Sequence, residues 1–340
     1  MNISIDRPAK VVDGGRACVA VDISSPVQAV VSRLGRTEDI RFSPDNRRLA
    51  IAGYAKNSCF LFDIRIDRAA ERPTVGIHDY LELRSNALAD PHGFDFAGDD
   101  KLIVANRSGQ VTVFAIPERD GNNRVHHVNP LRTICRAGYR QRIGSPGSVC
   151  VVSANRRRAD ILVCNNYEHR ITRHSVALRG GFALPRDSIV LENTLDIPDG
   201  IAVSPDRAWV AVSNHMTANV LIFDNRARLR RSDEPVGTLD GVAYPHGLRF
   251  SPDGSRIYVA DAGAPFVHVY EARAGDWRGP HAPVRTVTVL DDETFRRGRV
   301  NPEEGGPKGV DVDASGEIMA VTCEERALAF FHVPSLFASG

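Results

Sequence analysis

The chain has 340 residues, a formal net charge of +1, 42% hydrophobic and 25% charged residues, the balance of an ordinary folded protein. That composition excludes collagen-like and disordered chains, and near-neutrality gives no basis for nucleic-acid binding. No apolar run is long enough to cross a bilayer as a helix, so no membrane partner is expected.

Residues 1–7 hold neither a basic n-region nor an apolar h-region, so no secretory signal is expected and a cytoplasmic location is. The six cysteines, Cys18, Cys59, Cys135, Cys150, Cys164 and Cys323, form no CxxC pair. They read as reduced, mostly buried small hydrophobes. In chain order, strands are predicted first at 18–23, whose place is open, and at 27–33 within a segment 24–37.

Six copies of a strand–turn–strand unit follow. The clearest runs from Tyr244 through Pro-His-Gly and Ser-Pro-Asp-Gly to Asp261, and 90–106 repeats its design. Weaker copies lie at 38–53, 146–165, 198–214 and 307–323. Aligned on their turns, Asp39, Gly93, Ser148, Gly200, Gly247 and Gly309 share one position, at intervals of 47 to 62 residues. A repeat of that period marks a solenoid, propeller or array. Third strands are predicted at 59–64, 110–116, 170–176, 219–224, 267–271 and 327–333. Fourth strands follow at 75–83, 131–134, 189–191, 236–239 and 284–290, and no segment sustains a helical period over three turns.

Four strands per unit describe a propeller blade. The expected fold is all-β, a six-bladed β-propeller of four-stranded antiparallel blades forming a single domain over 1–340. Its units start near 38, 92, 147, 199, 246 and 308. The last unit lacks a fourth strand, and 27–33 is expected to supply it and close the ring, removing two open edges. A seventh, incomplete blade is the alternative.

The residue before the aligned position reads Glu38, His92, Gly147, Asp199, His246 and Lys308 around the ring. Equivalent positions in a closed ring converge on the channel mouth, so acid faces acid and histidine faces histidine there. Histidine exchanges protons near neutral pH and a carboxylate orients it or acts as base, which makes His92, His246, Asp199 and Glu38 the candidate catalytic residues. Lys308 would hold an anionic substrate group. Alternatively, His92 and His246 would ligate a divalent metal with a carboxylate, with His215 a further candidate ligand. Structural roles stay open for all of these: Pro-His-Gly as turn chemistry, the acids as caps, Lys308 as a solvated cation.

A second series closes the second strands: Gly53, Asn106, Asn165, Asn214, Asp261 and Cys323. It suits loop-tying chemistry. Of its successors, Arg107 and His215 join the substrate-binding list. Acidic neighbours would raise the Cys323 thiol pKa, which argues against a nucleophile. No nucleotide, flavin, serine-hydrolase elbow or zincin motif is present. The insertion 291–307 before Lys308 is either a lid or a surface excursion.

The Pro-His-Gly, Ser-Pro-Asp-Gly and Tyr-Val-Ala-Asp runs resemble NHL-type and lactonase-like propeller repeats over 38–333. The resemblance implies the propeller; its members include lactonases, lyases and pure binding modules, so it does not choose a reaction. In the peptidyl-amidoglycolate-lyase-like branch it implies zinc held by histidines of separate blades. The reading is a small-molecule hydrolase, lactonase-like, taking a polar or acidic substrate at the channel mouth. The alternatives are a non-catalytic propeller binding a protein or peptide, and a lyase or isomerase using the same groups.

Overall fold

Six small antiparallel sheets stand around a common axis in a computed structural model that describes residues 10–137, 141–179 and 186–338. Blade 1 consists of Ile40–Phe42, Arg48–Gly53, Ser58–Asp67 and Thr74–Arg84. Blade 2 has Pro91–Phe96, Lys101–Asn106, Val111–Ala115 and Arg132–Ile134, and blade 3 has Pro146–Ala154, Arg158–Asn165, Arg170–Ala177 and Asp187–Leu191. Blade 4 comprises Pro198–Val203, Trp209–Asn214, Asn219–Asp224 and Gly237–Leu239, and blade 5 Pro245–Phe250, Arg256–Asp261, Phe266–Glu271 and Arg285–Thr288. Blade 6 stops at three strands, Pro307–Val312, Ile318–Cys323 and Ala329–His332. The protein is a six-bladed β-propeller.

Each hydrophobic cluster lies between two successive blades. Phe94, Leu102 and Phe114 pack on Leu61, Leu81 and Leu83, for example, and Ile318 and Phe330 of blade 6 pack on Ile40 and Phe60 of blade 1. Ring closure is therefore itself a burial interface, of the same kind as every other blade contact. The first strands line the axis, and neighbouring ones approach so closely that glycine is required. A Cβ on Gly200 would sit 2.2 Å from the His246 carbonyl oxygen, and one on Gly247 2.6 Å from that of Lys308.

The ring is closed by the N-terminal segment, through other residues than expected. Residues 27–33 do not form the closing strand: Ser25–Val31 is an α-helix, with Pro26 in its first turn and Val27 and Val30 buried. Valine content favours a strand locally, but the spacing of Val27, Val30 and Leu34 follows a helical face, and burial against the blade 6–blade 1 core decides. Closure falls to the preceding residues. Cys18 bridges Phe331, and the Val19 N–H donates to the Phe330 carbonyl at 2.9 Å on the open edge of blade 6. On either side of that bridge, Lys10–Asp13 adds in parallel to blade 5, and Ala20–Ile23 adds in parallel to blade 1. The segment is a strap across three blades, which places the strand predicted at 18–23.

In the inner strands of blades 2–6 a β-bulge falls at the Pro-X-Gly or equivalent triplet. A bulge breaks the two-residue alternation. The residues after the aligned position, such as Phe94, Leu248 and Val310, remain in the core, while those before it meet at the axis. Two residues beyond the aligned position, a second layer crosses the channel. Arg249 pairs with Asp311 at 3.2 Å and reaches Asp95 at 3.8 Å, and Arg41 pairs with Asp39 at 2.9 Å.

Candidate active site and metal centre

The ring brings Glu38, His92, Asp199, His246 and Lys308 together, each at most 3% exposed. The His92 and His246 rings, from opposite blades, stack with centroids 5.2 Å apart. His215, which follows the second strand of blade 4, joins them 5.4 Å from His246 and 4.2 Å from the Tyr244 ring. The sixth position is glycine for want of space: a Cβ on Gly147 would lie 2.5 Å from Asp199 Oδ1.

The backbone fixes the tautomers of two of these histidines. His92 Nδ1–H donates to the Gly147 carbonyl at 2.8 Å, and His246 Nδ1–H to the Lys308 carbonyl at 3.1 Å; a carbonyl oxygen can only accept. In the neutral rings Nε2 is then a lone pair aimed at the axis. Burial pushes the His92 pKa down to about 3 and that of His246 in the same direction, so the neutral form is the one to consider. His92 Nε2 lies 3.5 Å from Glu38 Oε2, and His246 Nε2 lies 3.5 Å from the same oxygen and 3.2 Å from Asp199 Oδ2. His215 Nε2 is 3.5 Å from Asp199 Oδ2.

Around His92 and His246 these are acceptors facing acceptors. Glu38 Oε2, His92 Nε2 and His215 Nε2 are buried without a hydrogen-bond partner among the described residues. Leaving such groups unpaired costs about 1–3 kcal/mol each, which a cation between them would remove. The atoms form two triads, Glu38–His92–His246 and Asp199–His215–His246, each with its ligand atoms within 4.8 Å of one another, and His246 is common to both. Bonds of roughly 2.0–2.2 Å around a tetrahedral zinc place neighbouring ligand atoms about 3.3–3.6 Å apart. The spacings of 3.2 to 3.5 Å fit that edge. Imidazole nitrogen with carboxylate oxygen suits zinc or a neighbouring divalent transition metal.

The outer oxygen of each carboxylate is held away from the axis. Arg36 and Lys308, the latter at 3.3 Å, donate to Glu38 Oε1. Burial alone would raise the Glu38 pKa; Lys308, His92, Arg36 and His246 together outweigh it and keep the carboxyl well below its ordinary range. Asp199 Oδ1 accepts from Asn166 at 3.0 Å and Arg107 at 3.4 Å. The inner oxygens, Glu38 Oε2 and Asp199 Oδ2, are thereby left to the histidines.

Lys308 stands among three carboxylates, Glu304 at 2.6 Å, Glu38 at 3.3 Å and Glu324 at 3.6 Å, and is 1% exposed. Glu304 arrives from the 291–307 insertion. That insertion carries the helix Asp292–Arg297 and then docks through Gly305 and Gly306, whose N–H groups both donate to the Ala262 carbonyl. Its end is thus a fixed wall of the site.

Sequence reasoning missed Arg36, Asn166, Glu304 and Glu324. Part of the signal was present: the series following the second strands delivers Tyr54, Arg107, Asn166, His215 and Glu324 to the mouth, five of its six members, of which only two were chosen. The residues closing those strands hold the loops between blades. Asn106 Oδ1 accepts from the Ala89 N–H, Asn214 Oδ1 from that of Asp196, and the Asp261 carboxylate from those of Ala243 and Tyr244. Burial pushes the Cys323 thiol up to about 11, in keeping with a packed, inert side chain.

Neither a protein-family model nor a curated protein sequence matches the chain. Among solved structures it is similar to a functionally unknown protein from Desulfotomaculum acetoxidans DSM 771, at 12% identity and a TM-score of 0.55, over 88% of this chain and 83% of that one. It is also similar to a chain in the crystal structure of the mitotic checkpoint complex, at 11% identity and a TM-score of 0.51, over 87% and 74% respectively. Likeness at that identity shows the propeller fold alone.

Proposed function

We propose that the protein is a metal-dependent hydrolase of small molecules, lactonase-like in chemistry, with its reaction centre at the channel mouth. The observation that carries this reading is the convergence of buried potential ligand atoms from four blades, three of them, Glu38 Oε2, His92 Nε2 and His215 Nε2, without a hydrogen-bond partner among the described residues. Glu38, His92 and His246, or Asp199, His215 and His246, would hold a divalent ion there, and the backbone carbonyls of Gly147 and Lys308 orient two of the imidazoles. Such an ion supplies a Lewis acid that polarises a carbonyl oxygen and lowers the pKa of water.

The chain's own groups supply the rest. With Glu38, His92 and His246 as the ligands, Asp199 Oδ2 is left to accept the proton of an attacking water, its other oxygen being occupied by Asn166 and Arg107. Lys308 and Arg36 donate to the outer oxygen of Glu38 and favour its ionised form. The second layer, where Arg249 meets Asp311 and Asp95, crosses the channel beyond the centre.

The test is turnover of a panel of lactones and carboxylic esters by zinc-reconstituted protein, its EDTA-stripped form, and His246→Ala. Zinc-dependent turnover that is lost in a folded His246→Ala variant is expected. Equal turnover by all three, or none by any, would overturn the reading.

A further inference from the structure

The mouth carries two arginines that the proposed reaction has so far used only as supports, and they differ from Lys308 in one respect that matters. Lys308 is sealed, whereas the side chains of Arg36 and Arg107 are 30% and 19% exposed. Each is anchored at one edge to a carboxylate of the centre, Arg36 to Glu38 and Arg107 to Asp199. Each is also stacked on a tyrosine, Arg36 on Tyr54 at 4.5 Å and Arg107 on Tyr167 at 5.7 Å. Stacking and anchoring fix a guanidinium plane before any ligand arrives.

Both planes keep donors to spare. Arg36 Nη2 is 3.8 Å from Glu304 and Arg107 Nη1 is 3.4 Å from Asp199, the first beyond hydrogen-bonding range and the second near its limit. Tyr54 carries Arg36 on its face and sets its ring against His92 at 6.4 Å. Through Glu38 and Asp199, whose inner oxygens lie 3.5 and 3.2 Å from His246 Nε2, both forks border the same histidine cluster.

The charge balance gives the pair a condition. Glu38, Asp199, Glu304 and Glu324 face Arg36, Arg107 and Lys308, which leaves one net negative charge with the histidines neutral. An anion approaching the empty centre is opposed. A divalent ion reverses the sign to one net positive charge.

We propose that Arg36 and Arg107 form an oxyanion clamp beside the metal position, so that the substrate is a small organic anion whose binding is coupled to the metal. This rests on the metal reading above and adds the substrate class. Guanidinium forks match carboxylate and phosphate geometry alike, and the shared chemistry is an oxyanion with two accessible oxygens. By linkage, the anion tightens the metal by the same factor as the metal tightens the anion.

The experiment titrates acetate and methylphosphonate calorimetrically into protein loaded with one equivalent of zinc and into EDTA-stripped protein. At least one anion is expected to bind tenfold or more tightly with zinc, a coupling within the usual 5- to 150-fold span. The tighter of the two identifies the class as carboxylate or phosphate. Arg107→Gln and Arg36→Gln are expected to weaken that anion about tenfold or more while zinc stoichiometry stays at one. Arg107→Lys, which keeps the charge and loses the fork, should fall between. Zinc uptake without anion binding, equal affinity with and without zinc, or unchanged binding by the glutamine variants overturns the clamp alone. Failure of the wild-type chain to take up zinc overturns the metal reading and the clamp with it.

Discussion

Glu38→Gln separates a metal-ligating carboxylate from one that merely neutralises Lys308. In the wild-type chain without metal, Glu38 Oε2 is 3.5 Å from both His92 and His246 Nε2, acceptor against acceptor. A glutamine amide turned inward donates to one of those lone pairs and gains about 1 kcal/mol. It also weakens the bonds from Lys308 and Arg36, a loss of about 1.5–3 kcal/mol for hydrogen bonds to a charged group. Lys308 keeps Glu304 at 2.6 Å, so no cation is stranded. The metal-free variant should thus fall within about 2 kcal/mol of wild type, and metal is where the two diverge.

Zinc at one hundred times its Kd stabilises the native state by about 2.7 kcal/mol. With an unfolding entropy of about 2.1 cal/mol/K per residue, a chain of this length gains about 4 °C in Tm. Losing one ligand and a tenfold factor in affinity removes about 1.4 kcal/mol of that gain, roughly 2 °C. Differential scanning calorimetry with and without zinc reads both effects. An equal zinc-induced shift in the two proteins, or a metal-free loss above about 4 kcal/mol, would show Glu38 to be a structural ion-pair partner only.

Three further outcomes follow from the fold. Gly200→Ala places a methyl 2.2 Å from the His246 carbonyl oxygen; it should cost about 1–3 kcal/mol in urea unfolding and loosen zinc binding, and a variant identical to wild type in both refutes the close approach. Removing residues 1–23 strips the strap from blades 5, 6 and 1 and should cost on the order of 5 kcal/mol, with proteolysis starting at the exposed edge of Ala329–His332; an intact, equally stable truncation would contradict closure by Cys18 and Val19. Burial lifts the Asp95 pKa to about 6, above its value in the unfolded chain, so its contribution favours folding at pH 4 and is lost as pH rises through about 6; the wild-type stability minus that of Asp95→Asn, from urea titrations at pH 4.5 and 7.5, should fall over that window, and a constant difference would refute the shift.

The blades were legible because their information is local and repeated. An apolar pair of strands around Pro-Asp-Gly states its own turn, and six copies state the ring. The convergence of Glu38, His92, Asp199, His246 and Lys308 was legible for the same reason, since equivalent positions in a ring share radius and height. Residues 27–33 were not, because valines carry strand preference locally while the Val27–Val30–Leu34 spacing signals a helix only once a core exists to receive it. Glu304 reaches Lys308 through the path of an insertion that no repeat constrains. The Arg41, Asp95, Arg249 and Asp311 layer lay two residues beyond the aligned position, in register with the chosen one but across a bulge that hides their common direction.

The central claim is that the four-blade cluster of His92, His215, His246, Glu38 and Asp199 is a metal centre, and elemental analysis tests it most directly. Protein purified without chelator, then stripped and titrated with zinc, should take up one equivalent per chain, and His246→Ala, which breaks both triads, should take up none while remaining folded. A folded wild-type chain that binds no divalent transition metal at micromolar concentration, or a His246→Ala variant that binds it as tightly as wild type, would contradict the account.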